Sequence, residues 1–153
     1  YSDPGLSVPE HPGEISEEAV STVQSLLRRV TQNDATIRRW FGSYVTEPHR
    51  DRFAMPLPEE MTADEVAGAI REGHGLRRGP ATNLAFTQDD EGVTFYANGA
   101  AYELKPDTAF AAPLLSGTEY IESDTLQPHL ENKPFLSLLQ HLVNEGLFEV
   151  TPR

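Results

Sequence analysis

The apolar period of this chain turns from helical to strand-like at Gly79-Pro80, which confines it to folds that set helices beside a small antiparallel sheet. Upstream, Ser16 sits where an N-cap belongs, with Glu17 and Glu18 in the first turn, where they complement the helix dipole. Ala19, Val20, Val23, Leu26, Leu27 and Val30 follow at helical spacing and form one wide apolar face. Asn33 or Asp34 caps a second helix, whose apolar set is Ile37, Trp40, Phe41, Tyr44 and Val45, with Arg38 and Arg39 on the opposite side. Each helix of this hairpin carries more apolar face than the other covers, so the surplus needs a partner. Trp40 and Phe41 either fill the chain's own core or anchor a self-association surface, since large aromatics at the centre of a patch commonly carry interfaces.

Residues 46–61 hold three prolines and mixed charge and read as a linker. The next helix has a full start signal: Thr62 and Glu65 make a capping box, Met61 and Val66 sit at the staple positions, and Gly73 is a natural stop. After the switch, Leu84 and Phe86 alternate with polar residues, Asp89-Asp90-Glu91-Gly92 turns the chain, and Val93 and Phe95 lead to Asn98-Gly99. That pair, followed by Tyr102 and Leu104, predicts a hairpin, because both central residues of a type I′ turn need positive φ. Ala109, Phe110 and Leu114 suggest a short helix, and Ser123 a second one running to about Leu130. Asn132 and Pro134 open the last helix, with Phe135, Leu136, Leu138, Leu139, Leu142 and Val143 as its apolar face. Gly146 ends it, and Leu147, Phe148 and Val150 read as a closing strand.

At 153 residues the chain suits one domain, or two subdomains sharing a core. It has no cysteine, which removes disulfides, thiolate metal sites and a cysteine nucleophile. No apolar run approaches the roughly 18 residues of a membrane span, and no signal peptide opens the chain, so a soluble cytoplasmic protein without a membrane partner is expected. The start at Tyr1 suggests a piece of something longer. The net charge is −12, and it is uneven: residues 79–153 hold 3 basic and 11 acidic side chains. Such a surface repels duplex DNA, whose binding depends on basic residues releasing counterions, and favours a basic partner or simple solubility.

Two triplets have the look of part of an iron facial triad, His49-Arg50-Asp51 and His129-Leu130-Glu131. Such a site also needs a distant histidine and a rigid barrel. The first triplet lies in the proline-rich linker, the second beside a helix cap, and the chain has too little strand sequence for a barrel, so neither is expected to bind metal. Gly73-His74-Gly75 with Gly79 has the wrong spacing for a dinucleotide fingerprint and follows a helix where a strand is required. No complete catalytic site is legible.

Several stretches occur in an order that resembles a known family: Tyr1-Ser2-Asp3-Pro4, Pro12-Gly13-Glu14, Arg39-Trp40-Phe41-Gly42, Tyr96-Ala97-Asn98-Gly99, Phe135-Leu136 and Leu142-Val143-Asn144. Together they are similar to the C-terminal part of the bacterial ribosomal oxygenases, JmjC/cupin-type enzymes that use Fe(II) and 2-oxoglutarate to hydroxylate an arginine of a ribosomal protein. The resemblance implies an α+β chain, with a lead-in and helical dimerisation segment over residues 1–50, a linker over 51–61, and a winged-helix-like domain with a small antiparallel sheet over 62–153. It implies a homodimer, with Val23, Leu27, Ile37, Trp40, Phe41 and Tyr44 as the expected interface. It implies a basic ribosomal protein as the parent enzyme's substrate, and no DNA partner. Iron and 2-oxoglutarate would belong to a barrel upstream of Tyr1, so no catalytic, cofactor or metal residue is assigned within this chain. The alternative is a stand-alone winged-helix regulatory or protein-binding module, and a further one a small metalloenzyme using one of the triplets.

Overall fold

A computed structural model describes residues 16–48, 54–90 and 92–152. By internal contacts the chain divides into two compact units, Tyr1–Trp40 and Phe41–Arg153.

The first unit holds helix α1 (Glu17–Thr31) and most of helix α2 (Asp34–Thr46), so the division falls inside α2. Ser16 Oγ accepts the Ala19 N–H at 3.2 Å, and Asn33 Oδ1 accepts the Thr36 N–H at 3.0 Å. Both caps satisfy N–H groups that the first helical turn leaves without a partner. Asn33, rather than Asp34, caps α2.

The second unit is built around α3 (Ala63–Arg71) and α6 (Lys133–Asn144), which pack on each other and on a three-stranded antiparallel sheet. That sheet has the order β5 (Tyr120–Ile121), β1 (Gly75–Arg78), β6 (Phe148–Thr151), with Leu76 opposite both Ile121 and Val150. The α3 capping box forms as its residues require: the Thr62 N–H reaches Glu65 Oε2 at 2.7 Å, and the Glu65 N–H reaches Thr62 Oγ1 at 3.3 Å. The Thr62 N–H and the Thr62 hydroxyl, which donates to the same Glu65 Oε2 at 2.8 Å, hold the Glu65 carboxyl below its ordinary value of 4.5. Asn132 caps α6 through the Phe135 N–H at 3.0 Å. Gly146, at φ +70°, lies in the left-handed region, and its N–H closes the helix on the Val143 carbonyl. A Cβ at Gly146 would also strike the Met55 carbonyl.

The hairpin predicted from Asn98-Gly99 is part of a three-stranded meander of β2 (Leu84–Asp89), β3 (Gly92–Ala97) and β4 (Ala100–Leu104). Asn98 at φ +46° and Gly99 at φ +86° adopt the left-handed pair that a type I′ turn needs. Register places Phe86, Phe95 and Tyr102 on one face of this sheet and Ala85, Tyr96 and Ala101 on the other. Helix α4 (Ala111–Ser116), the single turn α5 (Ser123–Leu126) and a 3₁₀ turn over Gln127–His129 complete the unit. The expected helix from Ser123 to Leu130 is therefore broken in two, and Glu122 rather than Ser123 takes the N-cap position, with no side-chain cap.

Val66, Ile70, Leu76, Phe95, Leu115, Leu126, Phe135, Leu139, Leu142 and Phe148 form one continuous core. Residues 54–61 lie outside helix and strand but are strapped to α6 by Asn144. Its side chain accepts the Met61 N–H at 2.9 Å and donates to the Met61 carbonyl at 3.0 Å, while its own carbonyl takes the Leu57 N–H at 2.8 Å. Asn144 thus satisfies backbone groups that a segment without regular structure cannot pair internally.

Candidate interface on helices α1 and α2

Helix α2 has two unlike faces, set by its sequence. Successive residues turn by roughly 100°, so Gly42 and Thr46 share one side, while Ile37, Trp40, Phe41 and Tyr44 span the opposite one. The small side is covered within the second unit. Tyr96 is 1% exposed, and its ring lies so close over Gly42 that a Cβ there would collide with it. Thr46 is 1% exposed; its hydroxyl donates to the Gly42 carbonyl at 2.9 Å and accepts the Gly99 N–H at 3.0 Å. At the next residue, the Asn83 side chain donates to the Glu47 carbonyl at 3.2 Å. The end of α2 is therefore fastened to the meander turn by backbone-directed bonds and one ring contact.

The bulky side of α2 is exposed. Trp40 and Tyr44 are each 60% accessible and Phe41 53%, with Ile37 half-buried. Neither Trp40 nor Phe41 is among the buried residues of the described structure. Helix α1 goes further: Val23 is 55% exposed, Leu26 54% and Leu27 59%, and among its described side chains none is buried. All six residues expected at an interface thus belong to these two helices. Singly exposed apolar residues are ordinary on a protein surface, whereas large apolar patches are not.

Elsewhere the structure brings together groups that sequence reading did not. Tyr102 Oη lies 3.1 Å from His141 Nε2, across 39 positions of sequence, at the edge of a shallow cavity of about 350 Å³ lined also by Pro48, Ala54, Asn98, Glu145 and Leu147. Partial burial, and then the charge of Glu145, push the Tyr102 phenol above its usual 10.0. Nothing in the local sequence of either residue signals this pair, since a strand and a distant helix supply it.

His49-Arg50-Asp51 lies outside the described residues. His129 and Glu131 are each engaged elsewhere. The His129 imidazole stacks on Phe110 with centroids 4.2 Å apart and meets Phe135 edge-on, while Glu131 pairs with Arg71 at 3.1 Å on the open surface. Among the described residues no three histidines or acids converge as metal ligands. No described helix is long and apolar enough to cross a membrane.

A sequence model described as the ROXA-like winged helix matches residues 29–149. The ribosomal protein uL16 3-hydroxylase of Escherichia coli K12 is 23% identical over 146 residues, covering 95% of this chain and 38% of its own length. Among solved structures, the Escherichia coli ribosomal oxygenase YcfD superposes with a TM-score of 0.71 at 22% identity, over 98% of this chain and 40% of that one. Its complex with cobalt and 2-oxoglutarate gives 0.72, again over 40% of that chain. The chain therefore spans about two-fifths of the relatives it matches, in their C-terminal winged-helix region, and contains no JmjC catalytic domain.

Proposed function

Because the chain belongs to the ROXA-like winged helix family, we propose that it is the C-terminal region of an Fe(II)- and 2-oxoglutarate-dependent hydroxylase of a ribosomal protein arginine, and that its own work is to pair two such enzymes. The similarity to a uL16 3-hydroxylase, and to a ribosomal oxygenase solved with cobalt and 2-oxoglutarate, supports the parent activity. Within this reading the chemistry belongs to a separate JmjC domain, the chain alone is not catalytic, and the protein works in the cytoplasm.

The observation that carries the pairing role is the exposure of Val23, Leu27, Trp40, Phe41 and Tyr44 on α1 and α2. These are the residue types that anchor interfaces, and Trp and Tyr are enriched among the few that supply most of the binding energy. The winged-helix unit is read as a protein-facing part, not a DNA reader: a net charge of −12, concentrated after residue 79, opposes a phosphate backbone and suits a basic ribosomal protein.

Light scattering on the purified chain tests the reading. A dimer at micromolar concentration is expected, and it should become a monomer when Trp40 and Leu27 are both replaced by Asp. A wild-type chain that stays monomeric removes the pairing role, and salt-dependent retardation of duplex DNA removes the assignment of the winged helix to protein partners.

A further inference from the structure

The turn between β3 and β4 joins two residues that can react with each other. Where glycine follows asparagine, no side chain shields the glycine nitrogen, which can attack the neighbouring amide carbon. Asn98-Gly99 is such a pair, whereas Asn33, Asn83, Asn132 and Asn144 precede Asp34, Leu84, Lys133 and Glu145. In that reaction the Gly99 nitrogen loses its proton and bonds to Asn98 Cγ. The bond from Cγ to the side-chain nitrogen breaks, and that nitrogen takes up a proton and leaves as ammonia. Water then opens the five-membered imide at either carbonyl, which leaves aspartate or isoaspartate in the chain.

The fold restrains both partners of this reaction. The Gly99 N–H donates to Thr46 Oγ1 at 3.0 Å, and Thr46 is 1% exposed. Asn98 Oδ1 accepts the Asn83 N–H at 2.8 Å, while Asn98 Nδ2 donates to the Ala81 carbonyl at 3.0 Å. The nitrogen is not free to attack until the first bond breaks, and Cγ cannot swing toward it until the other two do. The first restraint comes from α2, and the segment that supplies the others is itself tied to α2 by Asn83 on the Glu47 carbonyl. We propose that Asn98 is a site of spontaneous deamidation, closed while the end of α2 is docked on the turn and open when α2 lifts away. The change also hinders docking afterwards. Aspartate has no donor for the Ala81 carbonyl, and isoaspartate adds a methylene to the backbone of a turn whose Gly99 N–H must reach Thr46.

Peptide mass spectrometry across residues 79–105, after incubation of the whole chain at mildly alkaline pH, tests this. The folded chain should deamidate at Asn98 at least roughly tenfold more slowly than the same chain in urea, because local opening must come first. Thr46→Val removes the acceptor for the Gly99 N–H and should speed the reaction several-fold, whereas Thr46→Ser keeps the hydroxyl and should behave as wild type. Thr62→Ala, a modest loss at a remote cap, should leave the rate unchanged. Equal rates in the folded and urea-unfolded chain overturn the proposal, as does a Thr46→Val chain no faster than Thr46→Ser. Equal acceleration by Thr62→Ala and Thr46→Val also overturns it, since global unfolding would then open the site.

The effect on docking is read separately by hydrogen exchange. Asn98→Asp reproduces one product, and the amides of residues 43–47 should exchange faster in it than in wild type. Unchanged protection there overturns the claim that the modification hinders docking.

Discussion

Helices α1 and α6 look alike in sequence and end in opposite environments. Both begin at a side-chain cap, and both carry an apolar stripe of Leu and Val at helical spacing. In α6, Phe135, Leu138, Leu139, Leu142 and Val143 are all buried against α3 and the β5–β1–β6 sheet. In α1, Val23, Leu26 and Leu27 remain more than half exposed. Amphipathic spacing therefore says that a face must be covered, and leaves open whether the chain or another molecule covers it. α2 joins the two cases in a single helix, with its small residues covered inside the unit and its large ones outside.

The comparison can be broken most sharply at Phe135. Its side chain is fully buried among α6, Phe110 and the core, so Phe135→Ala should lower the unfolding free energy by about 3–5 kcal/mol in denaturant titration. A loss below 1 kcal/mol would mean that α6 is covered no better than α1. Gly42→Ala should come next. It forces the Tyr96 ring off α2, and overpacking of this kind costs roughly 1–3 kcal/mol. The same change at Ser43, on a partly exposed side of the helix, should be nearly neutral, which separates the ring contact from helix propensity.

Thr62→Ala tests the cap that starts the covered part of the chain, with an expected loss of about 1 kcal/mol. The effect of its partner depends on pH. A carboxyl held low in the folded chain stabilises it fully above the ordinary value of 4.5, and this contribution disappears as pH falls through the lower folded value. The stability difference between wild type and Glu65→Gln should therefore be present well above that pH and vanish well below it. An unchanged difference would detach the box from the charge. The smallest effect on folding is expected at Trp40. With its side chain 60% exposed, Trp40→Ala should change the stability of the monomeric chain by less than about 1 kcal/mol and act mainly on association.

The resemblance motifs acquire separate physical reasons in the folded chain. Gly42, last residue of Arg39-Trp40-Phe41-Gly42, is where Tyr96 of Tyr96-Ala97-Asn98-Gly99 packs, so those two motifs are halves of one contact. Asn98 and Gly99 turn the hairpin, and Gly99 also binds Thr46. Asn144 ties residues 57–61 to the last helix. None of these partners is adjacent in sequence, and each was visible beforehand only as part of an ordered pattern.

The elements that the amino-acid sequence determined by itself are those whose signals are local. The Thr62–Glu65 box, the Asn132 cap, the Asn98-Gly99 turn and the Gly146 stop each depend on bonds or backbone angles within a few residues, and each formed where it was expected. The short strands β1 and β5 were not foreseen. Gly75–Arg78 and Tyr120–Ile121 have no period of their own to display, and they are strands because β1 pairs with β6 and with β5 across long stretches of chain. Only the tertiary structure decided which apolar faces the chain would keep for itself. Covering a face requires a complementary surface at the right distance, and that surface is built from residues remote in sequence: α6 has one among the described residues, whereas Val23, Leu26 and Leu27 of α1 and Trp40, Phe41 and Tyr44 of α2 stay exposed there.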